Sequence, residues 1–528
     1  MKIFLGIALL FSIQLNAQRH IDVLHYKYSL NLNDANDNIE GRATITLVSK
    51  NKDLPVILDL TNVKNGKGMV VSEIRTGRSG FKGIDYTHEN DKLIISQSSF
   101  TISDTVTLKI YYKGIPADGL IISKNKFDKR TFFADNWPNR AHNWIPCVDD
   151  PADKASVEFI VTAPRHYRVI SNGIQIEESN WGNDLKVTHW KETIPLPTKV
   201  MVIGVADFAV NLAGEVDCVP VSSWVYPDNK FEGFYDYAQA RDVLAFYIDY
   251  IGPFPYKKLA NVQSKTIFGG MENAGAIFYF ENSVTGKREE EPLLAHEIVH
   301  QWFGDMATEK AFSHLWLSEG FATYLTHVYM QSRYGDSVFK ERLLTDRDKV
   351  LKFVSGNPKP VVDSASSFME LLNPNSYEKG SWVLHMLRQQ TGDSVFHKII
   401  RTYYERYKGS TAETSDFRKV AEEISGKKLD VFFQQWLFTP ANPKLTITWK
   451  YDANKKGIRV IVRQIHSQLF TFPLDLRLNL PGTKTLNKEV RIEQREQEFI
   501  ILVTEKPLEL IADPNVKLLF EGEVTDSK

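Results

Sequence analysis

The spacing of apolar positions changes twice along the chain. From about residue 22 to 210 apolar and polar residues alternate. Ala43, Ile45 and Leu47 interleave with Arg42, Thr44 and Thr46, and Val106, Leu108 and Ile110 with Thr105, Thr107 and Lys109. A period of two predicts half-buried antiparallel strands. Turn formers such as Asn33-Asp34-Ala35-Asn36-Asp37 separate them. Near Phe231 the spacing turns helical. Residues 231–251 form one such stretch, closed by Gly252-Pro253. Pro292 suits the first turn of a following helix. Ser318 to about Tyr334 reads as another helix, stopped by Gly335. Residues 379–391, 393–408, 415–425 and 429–438 continue the pattern. Past Pro440 and Pro443 alternation returns, through Leu445, Ile447 and Trp449, then Ile458, Val460 and Val462, then Leu474 to Leu480. This last stretch predicts a small β-sandwich.

The expected fold class is therefore multidomain α+β. An N-terminal antiparallel β domain spans 18–210, a mostly helical domain 211–440, and a C-terminal β-sandwich 441–528. Residues 1–17 are set apart. Lys2 is followed by an apolar run from Ile3 to Leu15, and Ala17 offers a small residue for cleavage. That is the layout of a secretory signal peptide, weighed against a buried N-terminal element. Export follows: to the periplasm in a Gram-negative bacterium, otherwise to the medium. The run is too short for a comfortable membrane span, and stable membrane insertion is not expected.

Charge adds an exclusion. The 528 residues carry 64 Lys+Arg against 65 Asp+Glu, a formal net charge of -1. Such balance supplies no global attraction to nucleic acid, and no nucleic-acid partner is expected. Two cysteines rule out a disulfide-dense scaffold. Cys147 and Cys218 pair or remain thiols; the sequence leaves both open. Oligomeric state is not legible.

The chemistry lies in the helical third. Residues 296–300 read His-Glu-Ile-Val-His. Positions i and i+4 share a helix face, so His296 and His300 can present imidazole nitrogens to one ion, with Glu297 in reach of a water beside it. Incidental histidines on a solvated helix are the plain alternative. The apolar flanks Leu293, Leu294, Ile298, Val299, Trp302 and Phe303 oppose it, because buried histidines without partners are costly. Glu319 stands eighteen residues beyond His300, on the next predicted helix. A His, His, Glu set is the ligation of thermolysin-type zinc sites, and one zinc ion is the expected cofactor.

Three motifs in order carry a family resemblance. The zinc motif ends in Trp316-Leu317-Ser318-Glu319-Gly320-Phe321-Ala322. Residues 269–273 upstream read Gly-Gly-Met-Glu-Asn, and Tyr377-Glu378-Lys379-Gly380-Ser381 lies downstream. The set resembles the zinc aminopeptidases of the aminopeptidase N family, over nearly all of the chain past the leader. The resemblance implies a thermolysin-like catalytic domain at 211–440 and hydrolysis of the N-terminal bond of peptides with a free amine. His296, His300 and Glu319 would hold zinc, and Glu297 would be the general base. The Tyr377 hydroxyl would donate to the oxyanion. Glu272 would hold the substrate amine, and Gly269, Gly270, Met271 and Asn273 would line the peptide.

Two departures stand out. The family's second amine-binding Gln or Glu aligns with Trp137, near Ala141-His142-Asn143-Trp144-Ile145-Pro146-Cys147. Either nearby Asp135 assists Glu272, or Trp137 walls the first side-chain pocket. The chain also ends about 85 β-patterned residues after the helical region, without the large helical domain of many relatives, so a more open site is expected. Alternatives are an inactive peptide-binding protein on the same fold, a related hydrolase with an added epoxide-type activity, and a zinc endopeptidase, which Glu272 disfavours by blocking a continuous chain.

Overall fold

The computed structural model describes residues 20–526 apart from 52, 78–81 and 97–104. The expected leader, 1–17, lies outside the described residues. The alternating stretches form an eight-stranded sheet. Its spatial order is Ile174–Trp181, Leu185–Pro197, Lys154–Pro164, Ile21–Asn31, Ile39–Ser49, Val106–Ile115, Gly68–Thr76 and Lys82–Gly83. Ile21–Asn31 runs parallel to Lys154–Pro164, with His25 opposite Ser156, and antiparallel to Ile39–Ser49. Ala43, Ile45, Leu47, Leu108 and Ile110 are fully buried, as the alternation requires. Each such aliphatic side chain larger than alanine contributes about 1.5–3 kcal/mol. A four-stranded sheet, in the order Arg168–Ser171, Ile203–Ala206, Arg130–Ala134 and Leu120–Lys124, delivers the chain to Asp135 and Trp137.

The middle third departs from its helical reading. It contains a five-stranded sheet in the order Ala209–Val216, Val219–Val225, Leu259–Ser264, Ala276–Phe280 and Gly270–Met271. Leu259–Ser264 is buried at every position, so its sequence Leu-Ala-Asn-Val-Gln-Ser carries no alternation to betray a strand. Nine α-helices follow among the described residues: α1 Lys230–Tyr237, α2 Ala240–Tyr250, α3 Glu291–His300, α4 Trp316–Tyr334, α5 Asp336–Gly356, α6 Gly380–Thr391, α7 Asp393–Tyr407, α8 Thr414–Ser425 and α9 Asp430–Leu437. The single helix expected over 231–251 is thus two. α5 was not foreseen. It buries only Phe339, Leu343, Asp346, Val350 and Val354, a stripe too narrow to stand out in a charged segment.

Helices α3 and α4 run antiparallel. Ser318 Oγ at the start of α4 lies 3.1 Å from His300 Nδ1 at the end of α3, and Tyr329 Oη donates to Glu291 Oε1 at 2.6 Å. The last region is a sandwich. A four-stranded sheet (Glu496–Leu502, Gly457–Gln464, Lys444–Asp452, Glu521–Asp526) accompanies a three-stranded one (Thr485–Ile492, Phe472–Asn479, Glu509–Ala512). Leu445, Ile447, Trp449, Ile458, Val460 and Val462 all point inward. Cys147 is buried, Cys218 is exposed, and no disulfide joins them. No described helix is long and apolar enough to cross a membrane.

Candidate active site

Helix α3 is buried on most of its circumference. Leu294, Ile298 and Val299 anchor it, and Trp302 and Phe303 lock its C-terminal end. Its polar residues are therefore held rigidly, with His296 and His300 facing Glu319 of α4. His296 Nε2 and His300 Nε2 stand 3.1 Å apart, and each lies 3.3 Å from Glu319 Oε2. His300 Nδ1 sits 3.0 Å from the Phe303 carbonyl, which accepts its proton and leaves the Nε2 lone pair aimed at the cluster. These three groups make a set of ligand atoms all within 4.8 Å of one another. Two imidazole nitrogens and a carboxylate oxygen that converge on one point form a set that a divalent cation satisfies. Donor chemistry and burial both fit zinc.

Glu297 projects from the same helix into a cleft of about 410 Å³. Burial pushes its pKa well above the ordinary carboxylate range, and the nearby Glu272 and Glu319 carboxylates push the same way. A carboxylate poised to take a proton and return it needs such a shift.

Opposite α3 runs the edge strand Gly270–Met271. It pairs only with Ala276–Phe280, with Gly270 opposite Tyr279 and Met271 opposite Phe278, and its outer side faces the cleft. A Cβ on Gly270 would collide with the Glu297 carboxylate, so only glycine lets the strand approach the helix this closely. Gln301 fastens the strand's far end. Its Nε2 donates to the Glu272 carbonyl at 2.6 Å, and its Oε1 accepts from the Gly275 amide at 2.7 Å. Glu272 lines the cleft, and its buried Oε1 has no hydrogen-bond partner. A buried carboxylate oxygen left unsatisfied is costly unless a cationic ligand completes it. Asn273 is fully buried beneath it and lies outside the cleft lining; its side-chain oxygen and nitrogen are likewise unsatisfied.

Tyr377 sits in one π-helical turn, Asn375–Lys379, ahead of α6. Its ring stacks on His296 at 6.1 Å between centroids, with 14° between planes. Burial, and then the Glu319 carboxylate, push its pKa well up, so the hydroxyl keeps its proton and remains a donor. Gly320 and Gly380 permit this approach. A Cβ on Gly320 would stand 2.9 Å from the Gly380 backbone, so α4 and the start of α6 touch main chain to main chain.

Asp135 requires a correction. It is fully enclosed, with Oδ1 accepting from Arg140 Nη2 at 2.5 Å and Oδ2 from Thr266 Oγ1 at 2.9 Å and the Ile267 amide at 3.0 Å. Oδ2 faces the loop that leads to the edge strand and Oδ1 is taken by Arg140, so Asp135 positions that loop and does not reach a substrate amine. Trp137 does line the cleft. Its ring meets Phe268 and Phe312 edge-on, each at 5.9 Å.

Several cleft residues are not read as site residues from the sequence: Phe268, Pro292, Leu293, Thr323, Thr326, Arg342 and Leu372. Gln301 had a signal, being a polar side chain inside the apolar run that follows His300. Arg342 had none, because it belongs to the helix the pattern concealed.

Residues 23–200 match the model of the Peptidase M1 N-terminal domain, and residues 235–436 that of the Peptidase family M1 domain. Among curated proteins the chain is similar to "Probable aminopeptidase 2" of Sulfurisphaera tokodaii, 29% identical over 388 residues, 70% of this chain and 48% of that one. It is 25% identical to the leucyl aminopeptidase of Saccharolobus solfataricus over 488 residues, 87% of this chain and 59% of that one. The chain thus spans about half the length of the curated relatives it matches. A crystal structure of Legionella pneumophila aminopeptidase A in complex with aspartic acid superposes with a TM-score of 0.81 at 16% identity, covering 96% of this chain and 60% of that one.

Proposed function

This chain belongs to peptidase family M1, and we propose that it is a zinc-dependent aminopeptidase that removes the N-terminal residue of peptides. One observation carries the reading. The unsatisfied Glu272 carboxylate shares one cleft with the His296–His300–Glu319 cluster and Glu297. An exposed ammonium is the ligand chemistry that completes Glu272, and a free peptide N-terminus supplies it.

Zinc held by His296, His300 and Glu319 would supply Lewis acidity to the attacking water and the scissile carbonyl. Glu272 holds the substrate amine, which sets the first peptide bond over the cluster. The outer edge of Gly270–Met271 offers backbone groups to the substrate backbone. Glu297 takes a proton from the attacking water and passes it to the departing amine nitrogen, so the reaction is proton-neutral. The Tyr377 hydroxyl donates to the oxygen that gains charge in the tetrahedral transition state. The rings of Trp137 and Phe268 give the cleft an apolar wall suited to a large apolar side chain.

The test compares a leucyl peptide with its N-acetylated form, with and without a chelator and added zinc. Cleavage of the free form alone, lost on chelation and restored by zinc, is expected. Comparable cleavage of both forms overturns the aminopeptidase reading. Export through the N-terminal segment belongs to the same proposal. Terminal sequencing of the protein from periplasm or medium should begin near Gln18.

A further inference from the structure

The cleft has a direction. Gln301 grips the Glu272 carbonyl at the C-terminal end of α3, Gly270 abuts Glu297 in its middle, and Gly269 lies nearest to Leu293 toward its start. The edge strand therefore runs opposite to α3. Helix α4 runs opposite to α3 as well, from Ser318 beside His300 to Tyr329 beside Glu291. Stepping along α4 from Glu319 to Thr323 and Thr326 thus leads away from Glu272. A substrate with its amine on Glu272 sends its leaving portion this way.

At that far end stands a cation. Arg342 on α5 lines the cleft together with Thr323 and Thr326. Its Nε donates to His327 Nδ1 at 2.9 Å, and His327 Nε2 lies 2.6 Å from Asp346 Oδ2. Asp346 accepts the His327 proton, which fixes the tautomer whose bare Nδ1 receives Arg342. His327 and Asp346 are both buried, so the guanidinium plane is set by a rigid pair behind it. Among the described residues no carboxylate lies within ion-pairing distance of Arg342, and neither Nη atom has a protein hydrogen bond. A guanidinium held by Nε, with both Nη groups unengaged beside a cleft, presents the fork that takes a carboxylate in bidentate fashion.

We propose that Arg342 is the anion-binding pole of the cleft, holding a carboxylate of the leaving peptide while Glu272 holds the amine. The seven helical steps from Glu319 to Thr326 rise about 10 Å. An extended peptide covers that distance in about three residues. The carboxylate recognised is therefore two or three residues past the scissile bond: the C-terminus of a tri- or tetrapeptide, or an acidic side chain at that position of a longer one. Thr323 flanks the path and offers a hydroxyl to the same group. The enzyme would then favour short peptides over long neutral ones.

This inference rests on the aminopeptidase reading, and the experiment separates the two. Leu-Gly-Gly-Gly is compared with its C-terminal amide, and Leu-Gly-Glu-Gly-amide with Leu-Gly-Gln-Gly-amide, on the full chain with zinc. Wild type should show kcat/KM about tenfold higher for the acid of at least one pair, mainly through KM. In Arg342→Gln the acid-to-neutral ratio should fall to about one. In Arg342→Lys, which keeps charge and loses the fork, it should be intermediate. The ratio is taken within each protein, so a general loss of folding or activity cancels. An advantage confined to the first pair names the C-terminal carboxylate as ligand, and one in the second names the side chain. A wild-type ratio of one in both pairs, or a ratio unchanged in Arg342→Gln, overturns the role of Arg342 and leaves the aminopeptidase reading standing. No cleavage of any of the four peptides overturns the reading on which it rests.

Discussion

Glu272 and Asp135 are both buried acids, one next to the edge strand Gly270–Met271 and one against the loop that leads to it, yet their surroundings are opposite. Asp135 has a guanidinium on one oxygen and a hydroxyl and an amide on the other. Glu272 has an oxygen with nothing on it. A similar contrast separates some of the other buried acids, although Asp305 is buried outside the cleft lining with neither oxygen hydrogen-bonded. Glu309 is matched by Lys199 at 2.5 Å, and Glu158 by Lys27 and Lys191 at 3.0 and 2.8 Å. Glu297 lies in the cleft with no counter-ion beside it except the cluster histidines. The acids matched by a cation hold structure together, whereas Glu272 and Glu297 lack such a match and line the cleft. Burial and residue type are shared by both groups. The partner list and the place in the cleft together tell them apart.

The largest effect that would break this division is on Glu297. Glu297→Gln should lower kcat by about 10²–10⁴, the range for removal of a general base, with little change in KM. Steady-state kinetics on an aminoacyl fluorophore checks it. A kcat within tenfold of wild type would return Glu297 to the structural group. Next comes Glu272→Gln. Loss of a buried ion pair to the substrate amine should cost about 10²-fold in kcat/KM. Thermal stability should hold or rise, because an unsatisfied charge has been removed. A lowered melting temperature would show that Glu272 has a structural partner after all.

Asp135→Asn should behave in reverse. It removes one of the two counter-charges of the Arg140 guanidinium, which Asp118 still meets at 2.9 Å, and weakens the hold on Thr266 and Ile267, costing about 1–3 kcal/mol of stability by denaturant titration, with a smaller change in KM that follows displacement of the loop at 266–268. A large rise in KM without loss of stability would sink its positioning role. The smallest effect is on Glu158, on the sheet far from the cleft. Burial raises its pKa, but Lys191 and Lys27 prevail and hold it at about 2. Its folded value is depressed, so its contribution is present above the unfolded value, near 4.3, and is lost as pH falls through about 2. Glu158→Gln should therefore lower stability at pH 7 and flatten the pH dependence between about 4 and 2 in acid-unfolding curves.

Legibility followed periodicity. The His-Glu-x-x-His motif could be read because i and i+4 define one face of any helix, whatever surrounds it. Gly335 and Gly252-Pro253 ended helices where backbone chemistry says they should. The five-stranded sheet was hidden because a strand buried on both faces loses its alternation, as Leu259–Ser264 does. α5 was hidden because its apolar stripe is narrow, and Arg342 was lost with it. Asp135 was misjudged because sequence distance from Trp137 says nothing about where a carboxylate points once Arg140 and Thr266 close around it.

What the sequence determined by itself was local and periodic: the strand faces, most helix boundaries, and the residue types able to hold a metal and move a proton. It could do so because each depends on residues a few positions apart. What only the tertiary structure decided was satisfaction and direction. Whether a buried oxygen has a donor, which end of the cleft lies toward Glu272 and which toward Arg342, and why Gly270 and Gly320 must be bare all depend on groups tens to hundreds of residues apart. Those separations are closed only by the packing of α3, α4, α5 and the edge strand on one another.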